Sequence, residues 1–110
     1  MTDTEILQRL GAVIASRKGA DPSTSYVASL LAKGEDAILA KVAEESAEVV
    51  LASKEGDRLH VVRETADLWF HCLVLLAWHG AGPGEVLAEL ARREGTSGID
   101  EKAARGRPAP

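Results

Sequence analysis

The 110-residue sequence lacks the features that mark a disulfide-stabilised or nucleic-acid-binding protein. Cys72 is its single cysteine, so no intrachain disulfide can form and a reducing compartment is indicated. Basic residues number 13 against 17 acidic ones, which gives a formal charge of −4. That balance argues against nonspecific nucleic-acid binding, which depends on basic patches that neutralise phosphates. A nucleotide substrate is still compatible with it, because a metal ion can supply positive charge.

Aromatic residues and long apolar runs are also scarce. Aromatics make up 4% of the chain, so the core must rest on aliphatic side chains. Tyr26, Trp69 and Trp78 are the candidates for stacking on a base, and the two tryptophans are predicted to lie in the core. The longest nearly unbroken apolar run, 68–78, is too short to cross a bilayer, and the N-terminus does not resemble a signal peptide. We therefore expect a cytoplasmic protein without membrane or nucleic-acid partners.

Apolar residues recur with the helical period between glycine-rich breaks, and no segment shows the sustained alternation of a strand. The pattern predicts an all-α domain over residues 1–95 and a tail over 96–110, whose last residues are disordered. Thr2 and Glu5 fit a capping box, Asp57 fits an N-cap, and Gly34 fits a left-handed C-cap. Five helices are expected, over about 3–18, 25–33, 35–54, 57–79 and 83–93.

The fourth predicted helix is apolar nearly all round between Leu68 and Trp78. Such a helix is normally buried on every side, and a short chain has few helices with which to cover it. A homodimer that packs the third and fourth helices of both copies together would bury it. We therefore predict an all-α bundle of about five helices that is completed by homodimerisation.

Four carboxylates form two pairs on successive predicted helices. Glu45 and Glu48 are three residues apart, and so are Glu64 and Asp67, so each pair shares one helix face. Neighbouring antiparallel helices would aim all four at one place, where like charges repel unless a cation binds. Oxygen donors without cysteine favour Mg²⁺ or Mn²⁺ over zinc.

Two simpler or competing interpretations apply to the same residues. The acidic pairs could be solvated helix faces, with Lys41 and Glu45 as an ordinary ion pair, and the spacing alone supports this as well as it supports a metal. A di-iron carboxylate site needs Glu-x-x-His, whereas Asp67 and His71 are four apart. We expect His71 in the bundle core, hydrogen-bonded to a carboxylate, and His60 at the surface.

The segments EESAE and ETAD resemble the Glu-Glu-x-x-Glu and Glu-x-x-Asp signature of the all-α MazG-like nucleoside triphosphate pyrophosphohydrolases. The segments SYVASLLAKG and SGIDEKAAR narrow the resemblance to the phosphoribosyl-ATP pyrophosphohydrolase (phosphoribosyl-ATP diphosphatase) family, over about residues 25–105. It implies Mg²⁺-dependent hydrolysis of phosphoribosyl-ATP to phosphoribosyl-AMP and pyrophosphate, the second step of histidine biosynthesis. The chain resembles the stand-alone form, which implies a functional link to a separate phosphoribosyl-AMP cyclohydrolase.

By motif position, the resemblance implies catalytic and ligand roles for six residues. Glu44 would be an outer group of the metal site, an additional ligand or the base for the attacking water, and Lys41 would meet phosphate oxygens or balance the acidic cluster. The implied metal ligands are Glu45, Glu48, Glu64 and Asp67. The candidate substrate-binding residues are Tyr26, Lys33, Lys41, Arg93, Lys102 and Arg105. For the C-terminal cations, compensation of a helix dipole in a solvated tail is the alternative.

Three other functions share parts of this pattern. A house-cleaning pyrophosphohydrolase of the same superfamily would act on dUTP or damaged nucleotides. A non-catalytic helical interaction module would use its acidic faces only for solubility, and a nucleotide sensor would bind without turnover. Measured pyrophosphate release from a panel of substrates separates all three from the expected activity.

Overall fold

The computed structural model describes residues 2–105, and those residues form six α-helices and no strand. The helices are α1 (Asp3–Ser16), α2 (Tyr26–Lys33), α3 (Glu35–Glu55), α4 (Arg58–Trp78), α5 (Pro83–Arg93) and α6 (Gly98–Arg105). The all-α prediction is confirmed, and the five predicted helices occur close to their expected bounds. The tail contains α6, which the sequence did not predict, and the segment expected to be disordered, 106–110, lies outside the described residues. Within residues 2–105, no helix combines the length and apolar character that crossing a membrane requires.

Local hydrogen bonds cap the N-terminal ends of the first, second and fourth helices. The Thr2 N–H donates to Glu5 Oε2 at 3.3 Å, in the capping box that the sequence predicted. The Ser25 hydroxyl accepts from the Ala28 N–H at 3.1 Å. The Asp57 carboxylate accepts from the N–H of the residue three positions on, at 3.2 Å. Each bond satisfies a backbone group that the first turn of a helix leaves without a partner, so each start is fixed locally.

Gly34 joins α2 to α3 with no further residue between the two helices. Its φ of 101° is positive, but its ψ of 179° is extended, so the predicted left-handed C-cap is wrong in its ψ angle. A residue with a Cβ strongly disfavours this conformation, whereas glycine adopts it readily. The sharp turn lets α2 fold back and pack on both α3 and α4.

The helices α3 and α4 form a hairpin that carries most of the packing in the fold. α1 packs against α4 and α5, and α2 packs against α3 and α4. Their shared core lies where α3 begins and α4 ends. Its buried members are Ile14, Val27, Leu30, Leu31, Ile38, Leu73, Val74 and Ala77. Burying a large aliphatic side chain of this kind contributes about 1.5–3 kcal/mol, so this end of the hairpin is the stable part of the chain.

The opposite end of the hairpin leaves apolar side chains in solvent. Val50 is 60% exposed, Leu59 is 55% exposed and Val62 is 53% exposed. Trp69, which the sequence placed in the core, is 57% exposed, so that prediction is wrong for the single chain; Trp78 does pack against the core. The radius of gyration is 16.2 Å, whereas a compact chain of this length has about 13 Å. One copy of the chain therefore leaves part of its apolar surface uncovered.

Helices α1 and α5 meet at a glycine. A Cβ added to Gly11 would lie 2.5 Å from Cδ and 2.8 Å from Cγ of the Pro83 ring. The proline ring is rigid and tied to the backbone, so it cannot move aside as a long side chain could. The missing side chain therefore allows the first turn of α5 to lie against α1.

We expect Gly11→Ala to destabilise the protein, although this exchange in an open helix stabilises it by about 1 kcal/mol. Overpacking against Pro83 should lower the free energy of unfolding by about 1–3 kcal/mol. Urea unfolding followed by circular dichroism at fixed protein concentration measures the change. The control is Gly84→Ala, because a Cβ there would meet nothing within 4 Å. Equal stabilisation by both substitutions would contradict the close contact.

Candidate metal centre

One acidic side chain occupies a core position of α3. The buried residues of this helix are Ile38, Glu45 and Ala52, each seven positions after the last. Seven residues make about two helical turns, so the three share one face. Glu45 is only 9% exposed, so a carboxylate lies on the otherwise apolar seam of the hairpin. Burying a charge there is unfavourable unless other groups compensate for it.

Helix α4 brings two more carboxylates to the same place. Glu64 and Asp67 are three residues apart and share a helix face. Ligand oxygens of Glu45, Glu64 and Asp67 all lie within 4.8 Å of one another, which defines the acidic cluster. Glu45 is buried, Glu64 is half-buried and Asp67 is exposed, so the cluster opens from the seam to solvent. Glu48, half-buried one turn further along α3, is not one of these three.

Lys41 lies beside the cluster on α3. Its Nζ is 3.7 Å from Glu45 Oε1 and 3.5 Å from both carboxylate oxygens of Glu44. Desolvation lowers the pKa of Lys41, but Glu44, Tyr26 and Glu45 together outweigh this, and the pKa lies above its ordinary value. Lys41 therefore stays positively charged next to the cluster. The Glu44 side chain is 60% exposed and points to solvent.

His60 also belongs to this neighbourhood, although its predicted place at the surface gave it no role in the site; its side chain is 36% exposed. Its Nδ1 is 3.2 Å from Glu55 Oε2 and its Nε2 is 3.2 Å from Glu64 Oε1, so it bridges the two helices. The hydrogen bond to Glu55, reinforced by the one to Glu64, raises the pKa of His60 despite some desolvation. The spacing of four residues between His60 and Glu64 was the available signal.

His71 is buried in the bundle, as predicted, but its partners differ from the carboxylate that was expected. Its Nδ1 lies 2.8 Å from the Asp67 main-chain oxygen, and its Nε2 lies 2.8 Å from the Tyr26 hydroxyl. The Asp67–His71 spacing of four residues gave a hint of the first contact. The contact with Tyr26 spans 45 positions, and no local pattern could reveal it.

Apart from Lys41, the predicted substrate-binding cations lie in the last turns of helices. Lys33 is exposed at the end of α2, and Lys102 and Arg105 are exposed on α6. Arg93 ends α5, and its Nε donates to Glu89 Oε1 at 3.1 Å. Hydrogen bonds from Arg92 and Arg93 lower the pKa of Glu89 to about 2. These arginines therefore already stabilise the end of α5.

The acidic cluster has the donor chemistry of a hard divalent cation. All three of its side chains offer carboxylate oxygens, the ligands that Mg²⁺ and Mn²⁺ prefer. The cysteine is not among them, and burial raises the pKa of the Cys72 thiol, which keeps it protonated. The nearby basic groups, Lys41 and His60, are fewer than the carboxylates around them. The residues present therefore fit a magnesium ion.

Comparison with known proteins gives the same family throughout. A family model described as phosphoribosyl-ATP pyrophosphohydrolase matches residues 7–94, which include the whole acidic cluster. The phosphoribosyl-ATP pyrophosphatase of Nitrosospira multiformis is 69% identical over 105 residues, covering 96% of this chain and 87% of the relative. That of Aromatoleum aromaticum is 60% identical over 105 residues, covering 96% and 97%. That of Chromobacterium violaceum is 58% identical over 101 residues, covering 92% and 94%.

Asp67→Asn should have opposite effects with and without a divalent cation. In EDTA, relief of repulsion between like charges should raise the free energy of unfolding by about 0.2–0.5 kcal/mol. In Mg²⁺, the unsubstituted chain should gain melting temperature because the ion binds the folded state, and the variant should gain less. Thermal unfolding in both buffers measures this, with Asp36→Asn on α3 as the control. Loss of stability in EDTA would contradict the repulsion.

Proposed function

The chain belongs to the phosphoribosyl-ATP pyrophosphohydrolase family, and on that premise we propose that its acidic cluster is the magnesium centre of the reaction. The reaction is the hydrolysis of phosphoribosyl-ATP to phosphoribosyl-AMP and pyrophosphate, in histidine biosynthesis. The observation that carries the proposal is the convergence of Glu45, Glu64 and Asp67 within 4.8 Å, inside the segment that matches the family.

The proposed ligands are the three clustered carboxylates together with Glu48. Glu48 follows Glu45 by three residues on α3 and is half-buried, so it lies on the same side of the helix. Bound Mg²⁺, or Mn²⁺ in its place, supplies positive charge that polarises phosphoryl oxygens and offsets charge on the leaving pyrophosphate. The carboxylates that hold it would otherwise repel a polyanionic substrate, so substrate binding is expected to require the bound metal.

Lys41 and Glu44 are the proposed catalytic residues beside the metal. The Lys41 ammonium stays charged and lies at the edge of the cluster, where it can donate to a phosphate oxygen. Glu44 is exposed, so an attacking water has access to its carboxylate. Glu44 would take the proton as the water attacks the α-phosphorus, and Lys41, 3.5 Å away, would hold that carboxylate in place.

The other proposed substrate-binding residues are one exposed aromatic ring and four cations near helix ends. The Tyr26 ring is 52% exposed at the start of α2, so one face is open to a purine base. Four further cations would meet the phosphates of a flexible, highly charged substrate. They are Lys33, Arg93, Lys102 and Arg105. For Arg93 this requires exchange of its contact with Glu89 for one with phosphate.

We further propose that the working form is a homodimer. Val50, Leu51, Leu59 and Val62 are each more than half exposed around the turn between α3 and α4. Apolar side chains grouped in this way mark an interaction surface. A second copy packed on this end would bury them. The single cysteine supports a cytoplasmic location, where the product would pass to a separate phosphoribosyl-AMP cyclohydrolase.

Val62→Asp should convert the dimer to a monomer. The side chain is 53% exposed in one chain, and a charge placed in a dimer interface would be desolvated without a partner. Light scattering after gel filtration measures the mass of both proteins. Ile99→Asp, at an 83% exposed position on α6, is the control and should remain a dimer. A monomeric unsubstituted chain at every concentration would contradict the proposed dimer.

The function itself is tested by pyrophosphate release from phosphoribosyl-ATP, compared with dUTP and the other nucleoside triphosphates. We expect phosphoribosyl-ATP with Mg²⁺ to be the best substrate and EDTA to abolish release. Glu45→Gln should reduce kcat by at least about 100-fold because it removes a metal ligand, whereas Asp36→Asn, elsewhere on α3, should not. Faster turnover of dUTP or a canonical triphosphate would favour a house-cleaning enzyme, and binding without release would favour a sensor.

A further inference from the structure

Two of the three clustered carboxylates are held by a side-chain partner, and the third is not. Glu45 lies 3.7 Å from the Lys41 ammonium, and Glu64 lies 3.2 Å from the His60 ring. Within residues 2–105, no hydrogen bond or ion pair of these lengths reaches the Asp67 carboxylate, which is also the most exposed of the three. Its direction therefore depends on the backbone from which it projects.

The His71 ring adds a hydrogen bond to that backbone, which α4 already holds in helical geometry. A carbonyl only accepts hydrogen bonds, so His71 Nδ1 donates to the Asp67 oxygen at 2.8 Å. In the neutral ring, Nε2 is then left as an acceptor, and the Tyr26 hydroxyl donates to it at 2.8 Å. Both ring nitrogens are thus satisfied by partners on two different helices. The hydrogen bond from Tyr26 selects the tautomer that can hold the Asp67 carbonyl.

Packing holds the imidazole in this orientation. His71 is 7% exposed, and the rings of Tyr26 and Phe70 stand edge-on to it at centroid distances of 5.9 Å and 5.4 Å. Tyr26 is the first residue of α2, and its hydroxyl is tied down while its ring is half in solvent. The two hydrogen bonds of His71 therefore form a relay, which runs from the exposed Tyr26 ring to the backbone of Asp67.

We propose that Tyr26 and His71 are positioning residues whose hydrogen-bond relay sets the direction in which Asp67 presents its carboxylate. The inference rests on the proposed magnesium centre and deepens it. It gives the Tyr26 hydroxyl a role distinct from stacking by the Tyr26 ring. It also links the docking of α2 on the hairpin to the affinity of the centre for its metal.

Isothermal titration of the full-length protein with Mg²⁺, without substrate, tests the relay. Tyr26→Phe keeps the ring and removes the hydroxyl, and we expect the Kd for Mg²⁺ to rise roughly 10-fold. In His71→Asn, the amide N–H lies near the position of Nδ1 and can donate to the Asp67 carbonyl, but the hydrogen bond with Tyr26 is lost. In His71→Gln, the amide oxygen lies near the position of Nε2 and can accept from Tyr26, but the hydrogen bond to the Asp67 carbonyl is lost. Both should weaken Mg²⁺ binding, because the relay needs both bonds. His79→Gln, an exposed histidine paired with Glu35, is the control.

The same variants separate positioning from a purely structural contact. Hydrolysis by Tyr26→Phe should fall at limiting Mg²⁺ and recover at high Mg²⁺, whereas Tyr26→Leu should also raise the KM for phosphoribosyl-ATP. A lower melting temperature in EDTA with an unchanged Kd for Mg²⁺ would show a structural contact and overturn the relay, while leaving the proposed function intact. If the unsubstituted chain releases pyrophosphate but binds no Mg²⁺, the metal centre and the relay both fall.

Discussion

Three carboxylates that repel one another lie together on the hairpin of α3 and α4. Ligand oxygens of Glu45, Glu64 and Asp67 lie within 4.8 Å of one another, and like charges this close repel one another unless a cation lies between them. Lys41 and His60 offset only part of this. An apolar residue at position 45, between Ile38 and Ala52 on the seam, would stabilise the hairpin better. The proposed metal site therefore accounts for this carboxylate, whereas the stability of the hairpin does not.

The hairpin can tolerate that repulsion because its core lies to one side of the cluster. Ile38 and Val74 are fully buried where α1 and α2 pack on the hairpin, and this contact fixes α3 against α4. Ala52 continues the buried seam beyond Glu45. The carboxylates are consequently held on two long helices that cannot move apart locally. Such rigid support is what a metal site needs before the ion arrives.

The sequence predicted the helices well because their ends carry local signals, such as Asp57 at the start of α4 and the proline at the start of α5. It predicted which carboxylates share a face, since that follows from spacing alone. The sequence could not predict how deeply each carboxylate is buried. Glu45 is buried and Asp67 is exposed, and packing between helices sets this difference. The partner of His71 lies 45 residues away on α2. Those features depend on tertiary structure.

The error at Trp69 has a physical cause that also explains why α4 is apolar nearly all round. Residues on a helix advance by about 100° each, so Leu59, Val62 and Trp69 fall on one side and Glu64, Asp67 and His71 fall on nearly the opposite side. The second side faces α3 and forms the proposed metal centre. The first side is more than half exposed in a single chain. Apolar residues occupy every face of a helix that becomes buried. On α4 this includes the face that a second copy is proposed to cover. α4 thus carries the proposed metal centre on one face and the proposed dimer surface on the other, and the separation of these faces lets each be altered without the other.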